Sequence, residues 1–233
     1  MVWVFLSVNL VLATLYITGV IKPPVLAKGI ASAAFVALGV FAFASGGNAD
    51  PDVYALRWLI VSGLVLGALG DVLLELGNKK QLLFLLGVAS FFLGHAAYIA
   101  AGITVGDPHV ALLALVATLP IAAVLTSLSV CLLTLSGAMR FALMGYVFTL
   151  SYMTTFAWFK FFTFSASPYY LIAPGATLFL ISDVVLGIRM FGKRSDPKFG
   201  GQSLERRNRI LGAICLVTYY LAQNAIALSL ILS

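Results

Sequence analysis

Apolar runs follow one another along the whole chain, each closed by a short polar or turn-forming break. They fall at roughly 2–20, 24–45, 54–76, 81–102, 110–135, 138–160, 169–191 and 208–231, each close to the ~20 residues that a membrane-spanning helix needs. The pattern predicts an all-α bundle of eight transmembrane helices. The breaks carry the expected turn chemistry: Pro23-Pro24, Gly46-Gly47-Asn48 with Pro51, Gly106-Asp107-Pro108, and Pro168. Pro120 and Pro174 fall inside helices 5 and 7, where neighbouring helices can take up the freed backbone carbonyl. The longest polar segment, Gly192 to Asn208, is no more than a generous loop. One integral membrane domain over residues 1–233 is therefore expected.

Composition narrows the class. Hydrophobic residues make up 62% of the chain and charged residues 9%, well under the roughly 25% of a soluble domain, so lipid must solvate most of the surface. The first helix follows no basic leader and ends without a small-residue cleavage pattern, and is expected to be retained. Cys131 and Cys215 both lie within predicted helices, where a free thiol acts as a small apolar group.

The net charge of +6 matters less than its placement. With eight spans, one face collects Lys22, Lys28, Lys79, Lys80, Arg140, Arg189, Lys193, Arg194, Lys198, Arg206, Arg207 and Arg209. That is 12 of the 14 basic residues, leaving Arg57 and Lys160 opposite. Basic loops stay in the cytoplasm, so both termini are expected on the non-cytoplasmic side. The membrane is expected to be a bacterial inner membrane or the endoplasmic reticulum. A nucleic-acid partner is not expected, because topology accounts for the basic residues.

Against this apolar background two carboxylates stand out, Asp71 in Gly70-Asp71-Val72-Leu73-Leu74 and Asp183 in Ser182-Asp183-Val184-Val185-Leu186. An acidic side chain inside a span marks a functional site by default. Both lie one to two turns from the basic end of helices running the same way, a depth that permits a shared site. Glu75 follows one turn after Asp71, nearer the headgroups. Gly63, Gly67 and Gly70 line one side of helix 3 and let a neighbour approach closely. Helix 4 places Phe84, Gly87, Phe91, His95 and Tyr98 on a single stripe. Helix 8 brings Thr218, Tyr219, Tyr220, Gln223 and Asn224 into the membrane interior, where polar groups need partners. Lys22, at the end of helix 1, is placed either to snorkel to phosphates or to reach a carboxylate. No nucleophile elbow, HExxH, phosphate-binding loop or His/Cys cluster of metal-ligand spacing occurs, so neither a metal nor a cofactor is expected.

Taken in order, these residues resemble the YhhN-like lysoplasmalogenase family of multi-spanning membrane hydrolases. The resemblance rests on Ile21-Lys22-Pro23-Pro24-Val25, Gly70-Asp71, the helix 4 stripe, and Tyr146 with Met153. It continues through Phe179, Ser182-Asp183 and Thr218-Tyr219-Tyr220 with Gln223. The basic 7–8 loop is longer than the family pattern. The resemblance implies hydrolysis of the vinyl ether bond of a lysophospholipid, giving a fatty aldehyde and a glycerophospho-ethanolamine or glycerophospho-choline. The expected partners are then the lysophospholipid substrate and membrane lipids; the oligomeric state is left open. A vinyl ether is activated by a proton on its β-carbon and then captured by water, which calls for one acid and one base. Asp71 is expected to be the protonated acid and Asp183 the base, an assignment open to reversal. Lys22, His95, Tyr98, Tyr219, Tyr220 and Gln223 are expected to bind or orient substrate and water. The alternative is a proton- or cation-coupled transporter, or a lipid-binding protein, built on the same pair.

Overall fold

Asp50 and Asp107 each precede a proline, and this fixes where two helices begin. The Asp50 carboxylate accepts from the backbone N–H of Asp52 at 3.1 Å, and that of Asp107 from His109 at 2.8 Å. Each side chain thus caps a helix whose first residue has no N–H to satisfy. The helices therefore start at Pro51 and Pro108, two or three residues before the apolar pattern itself begins.

The computed structural model describes residues 2–18, 24–47, 50–77, 80–133, 137–163, 168–192 and 201–233. These form eight helices: α1 (Val2–Ile17), α2 (Pro24–Ser45), α3 (Pro51–Leu76), α4 (Gln81–Thr104), α5 (Pro108–Leu132), α6 (Gly137–Thr163), α7 (Tyr169–Phe191) and α8 (Gly201–Ser229). The fold is all-α, and among the described residues the β-structure is one isolated antiparallel bridge, Leu133 to Gly192, joining the ends of α5 and α7. Pro120 and Pro174 both lie inside their helices. The largest departure from the apolar pattern is α8, which begins at Gly201 and carries Arg206, Arg207 and Arg209 in its first turns. Hydropathy marks where a helix meets lipid, whereas a helix goes on into polar surroundings wherever its residues favour it.

Among the described residues six helices are long and apolar enough to cross a membrane, those based on α2, α3, α4, α5, α7 and α8. At 16 residues α1 is shorter than a full span. Helix α6 has 27 residues but is diluted by Tyr146, Ser151, Tyr152, Thr154 and Thr155.

Packing is closest between α3 and α4 and between α7 and α8. Helix α2 lies against α3 and α8, α6 lies against α4 and α7, and α5 rests on α6. The core runs through α2, α3, α7 and α8, with Phe35, Leu38, Leu64, Phe179, Tyr220 and Ile226 almost wholly buried. The α3 glycine row explains the tight α3–α4 seam. A Cβ at Gly63 would fall 2.3 Å from the Tyr98 ring, and one at Gly70 would fall 2.8 Å from Phe91. One turn from each, a Cβ at Gly67 would fall 2.5 Å from Nε2 of Gln223. The glycines are seats for the polar and aromatic side chains of α4 and α8.

Arg57 and Lys160, the two basic residues that the eight-span pattern sets apart from the rest, are both internal. Arg57, 3% exposed, donates to Ser233 Oγ at 3.0 Å, to the Ser233 carbonyl, and to the Gly47 carbonyl at 3.3 Å. Its guanidinium lies against Gly46, where a Cβ would come within 2.4 Å of Nη1. Lys160 is fully buried. Its ammonium donates to the Val105 carbonyl at 3.0 Å and sits over the rings of Phe156 and Tyr169.

Candidate active site

Helix α2 contributes a cation and a hydroxyl one turn apart, Lys28 and Ser32, on the face that meets Asp71 of α3. Lys28 Nζ is 3.2 Å from Asp71 Oδ1, and the two side chains are 10% and 3% exposed. The Ser32 hydroxyl donates to Asp71 Oδ2 at 2.5 Å, and the Tyr219 hydroxyl of α8 donates to the same oxygen at 2.8 Å. Tyr219 in turn accepts from Nε2 of Gln223 at 3.2 Å, while the Gln223 carbonyl accepts from the Tyr98 hydroxyl at 2.9 Å. A chain of donors thus runs from α4 through α8 to the α3 carboxylate. Stripping such a carboxylate of its partners would cost several kcal/mol or more; here an ammonium and two hydroxyls supply them.

Asp183 has different company. Tyr146 of α6 donates its hydroxyl proton to Asp183 Oδ2. His95 Nε2 lies 3.1 Å from the Tyr146 oxygen and 3.7 Å from Asp183 Oδ2. Because the Tyr146 proton is directed at the carboxylate, the tyrosine oxygen is left as acceptor. The His95 N–H is then on Nε2, and in the neutral ring Nδ1 carries the lone pair. His95 is 1% exposed, and Nδ1 has no hydrogen-bond partner among the described residues. The Asp183 side chain is 12% exposed, more open than Asp71.

An aromatic wall lies between the two networks. The Phe179 ring packs edge-on at 4.6 Å from the His95 ring and 5.4 Å from that of Tyr219, and Phe91 packs on both Phe179 and Tyr219. Phe35 closes the wall from α2 against Tyr219 and Tyr220.

The fold thus gathers Tyr98, Tyr219 and Gln223 around Asp71, and places His95 with Asp183. Tyr220 is buried beside the network, with its ring against Phe35 and Tyr219. Lys22 lies outside the described residues. Asn224 turns back on its own helix, donating to the Tyr220 carbonyl at 2.7 Å. The cation that meets Asp71 is Lys28, which the charge pattern had placed among the topological basic residues. Lys28, Ser32 and Phe35 repeat at steps of four and three on α2, and that spacing was the available signal. Tyr146 stood in the sequence only as a matching position, since a tyrosine in an aromatic-rich helix announces no partner.

Among the described residues no group of His, Cys, Asp and Glu has the geometry to hold a metal ion. No curated protein and no solved structure matches the chain. Residues 26–230 match the family model of the YhhN family. That match includes both carboxylate networks and nearly every helix, and the chain belongs to the YhhN family.

Proposed function

We propose that this protein is a membrane-embedded hydrolase that cleaves the vinyl ether bond of lysoplasmalogens, releasing a fatty aldehyde and a glycerophospho-ethanolamine or glycerophospho-choline. Family membership supports the reading. The observation that carries it is the unlike surroundings of two carboxylates, a buried one against an ammonium and a half-buried one against a phenol and an imidazole. Unlike environments divide a carboxyl pair into an acid and a base.

The ion pair with Lys28 supports Asp71 as the base, the other of the two assignments that the sequence leaves open. Asp183, which meets the Tyr146 phenol and the His95 imidazole and no lysine or arginine among the described contacts, takes the role of acid in this reading. It delivers that proton to the β-carbon of the alkenyl ether, and the electron pair of the double bond forms the new C–H bond. The α-carbon becomes an oxocarbenium ion. Aromatic side chains suit both the flat alkenyl group and the cation that follows it. Water, deprotonated by Asp71, adds to the α-carbon and gives a hemiacetal. Collapse of the hemiacetal breaks the bond to the glycerol oxygen, which takes the hydroxyl proton, and the aldehyde leaves. Net consumption is one water, and the proton gained by Asp71 makes good the one lost by Asp183 through solvent. His95 acts through Nε2 on the Tyr146 oxygen, fixing the phenol that donates to Asp183.

The eight-span topology belongs to the same reading. Both termini lie on the non-cytoplasmic side, and the lysolipid reaches the carboxylates from the cytoplasmic leaflet of a bacterial inner membrane or the endoplasmic reticulum. The burial of Arg57 and Lys160 supports it, because neither is then a loop charge opposing the basic face.

The test is aldehyde release by purified, detergent-solubilised protein from a vinyl-ether lysolipid, with the saturated-ether analogue as control. Release from the vinyl ether alone, abolished by Asp71→Asn and by Asp183→Asn in protein that still folds, is the expected result. Near-normal turnover in either variant would remove the pair from the chemistry. No aldehyde from the folded, unaltered protein would leave proton- or cation-coupled transport as the better use of the two carboxylates.

A further inference from the structure

Beside the buried stripe of α2 that carries Lys28 and Ser32 runs a second stripe of small residues, Gly29, Ala33 and Ala37, which does not fill the space next to α3. The result is a groove of about 760 Å³ on the outer face of the α2–α3 pair, lined only by apolar side chains and closed on the α3 side by Ala68 and Val72 among others. It begins where Gly29 meets Val72 and extends along α2 to Ala44. At 1.5 Å per residue that stretch is about 22 Å long, longer than the ~15 Å that one leaflet contributes to the hydrocarbon core.

We propose that this groove seats the single hydrocarbon chain of a lysophospholipid, with the chain end toward Ala44 and the phosphate end at Lys28. The identity of that lipid as the substrate rests on the hydrolase reading above.

Three observations select this occupant. The groove lies in two helices long and apolar enough to cross the membrane, so hydrocarbon is the medium beside it. Its Gly29 end adjoins the candidate active site, because Gly29 and Val72 are the chain neighbours of Lys28 and Asp71, and a Cβ at Gly29 would rest 3.7 Å from Val72 Cγ2. The cation at that end complements an anionic head: the Lys28 side chain keeps 10% of its surface open while paired with Asp71. A second helix is the competing occupant, since small residues also invite helix packing, but a hydrophobic helix brings no anion to Lys28.

The experiment places a large side chain in the groove, away from the carboxylates, with Ala37→Phe and Ala33→Phe. Val116→Phe, on the bilayer-exposed face of α5 (57% exposed), is the control. Aldehyde release is measured on vinyl-ether lysolipids with octyl, dodecyl and hexadecyl chains. In parallel, a saturated alkyl-ether lysophospholipid with a chain-terminal diazirine, which the proposed chemistry cannot cleave, is photo-cross-linked to the protein. The expected result is that the ratio of hexadecyl to octyl efficiency falls by about tenfold or more in Ala37→Phe, the equivalent of about two methylenes denied burial. Val116→Phe keeps the unaltered ratio, and diazirine labels fall on α2 and α3 and are lost in Ala37→Phe. Labels on α2 and α3 from protein that releases no aldehyde would sink the hydrolase reading and leave the groove standing as a lipid site. An unchanged chain-length ratio in both groove variants, with labels on other helices, would overturn the groove and leave the hydrolase intact. Cross-linked pairs of chains through Ala37→Cys in a Cys131→Ser background would overturn it in favour of helix packing.

Discussion

Tyr219 stands with its hydroxyl 2.8 Å from Asp71 Oδ2 and its ring edge-on to Phe35, Phe91 and Phe179. One residue thus joins the polar network to the aromatic wall, and the two roles can be separated. Tyr219→Phe keeps the ring and removes the proton donated to the carboxylate. A hydrogen bond to a charged group is worth about 1.5–3 kcal/mol, so aldehyde release is expected to fall roughly ten- to a hundredfold while the melting temperature moves by only a few degrees. A variant that melts early and keeps its turnover would place Tyr219 in the scaffold.

The ion pair invites a comparison of stability with activity. Lys28→Met leaves the Asp71 carboxylate buried with two hydroxyls and no cation, and breaking such a pair costs on the order of 3–5 kcal/mol. Adding Asp71→Asn removes the orphaned charge. The double variant is therefore expected to regain much of the thermal stability that Lys28→Met loses, and to regain none of the activity. Recovery of turnover along with stability would show that the pair only locks α2 to α3.

Gly67 offers a test through space alone. A methyl at this position would come 2.5 Å from Gln223 Nε2, so Gly67→Ala must displace the amide that joins Tyr98 to Tyr219. Helix propensity favours the substitution by nearly 1 kcal/mol, so any loss arises from displacement. The expected outcome is a drop in turnover of about tenfold, the scale of one lost hydrogen bond. A Gly67→Ala/Gln223→Ala double variant, which removes the clash, should be no worse than Gln223→Ala alone.

The arrangement was legible in some parts of the sequence and hidden in others for physical reasons. Helix periodicity on α4 placed Phe91, His95 and Tyr98 on one buried face, because a glycine and aromatic stripe in a span has only one way to pack. The two carboxylates stood out because lipid penalises them. Helix starts at Pro51 and Pro108 lay outside the apolar runs, since a cap is made by the polar side chain of Asp50 or Asp107, on which hydropathy is silent. Lys28 was read as a topological charge, because a lysine near a helix end looks the same whether it turns outward to phosphate or inward to Asp71. Only the third dimension brings α2 against α3. Arg57 and Lys160 were read as loop charges, because a sequence does not tell a basic residue in a loop from one folded inward as an internal clamp.

His95, Tyr146 and Asp183 form one cluster in which the Tyr146 hydroxyl is bonded to both of the others, so their contributions should not add. Tyr146→Phe removes the proton donated to Asp183 and the acceptor offered to His95 in one step. His95→Asn then has little left to disturb through that route. Each single variant is expected to slow aldehyde release by about tenfold or more, and the double variant by little more than the worse single. Full multiplication of the two effects would mean that His95 acts elsewhere, through Nδ1 on water or substrate.

Lys160 supplies the contrast, a buried charge outside the site. Its ammonium donates to the Val105 carbonyl just past the end of α4 and lies 5.7 Å and 5.4 Å from the Phe156 and Tyr169 ring centres. It occupies the space beside Gly106, where a Cβ would fall 1.8 Å from Nζ. A lysine held by a carbonyl and two ring faces ties α4, α6 and α7 together at the end of α6. Lys160→Met preserves most of the volume and removes the hydrogen bond and the cation. The Val105 carbonyl then loses this donor, at a cost of about 1–3 kcal/mol. The expected outcome is a lower melting temperature in detergent with unchanged aldehyde release per folded molecule at low temperature. Since Gly106→Ala would press on the same ammonium, it should lower stability in the unaltered protein and much less so in the Lys160→Met background, where the flexible thioether can move aside. Equal destabilisation in both backgrounds would show that the contact between Lys160 and Gly106 contributes nothing to stability.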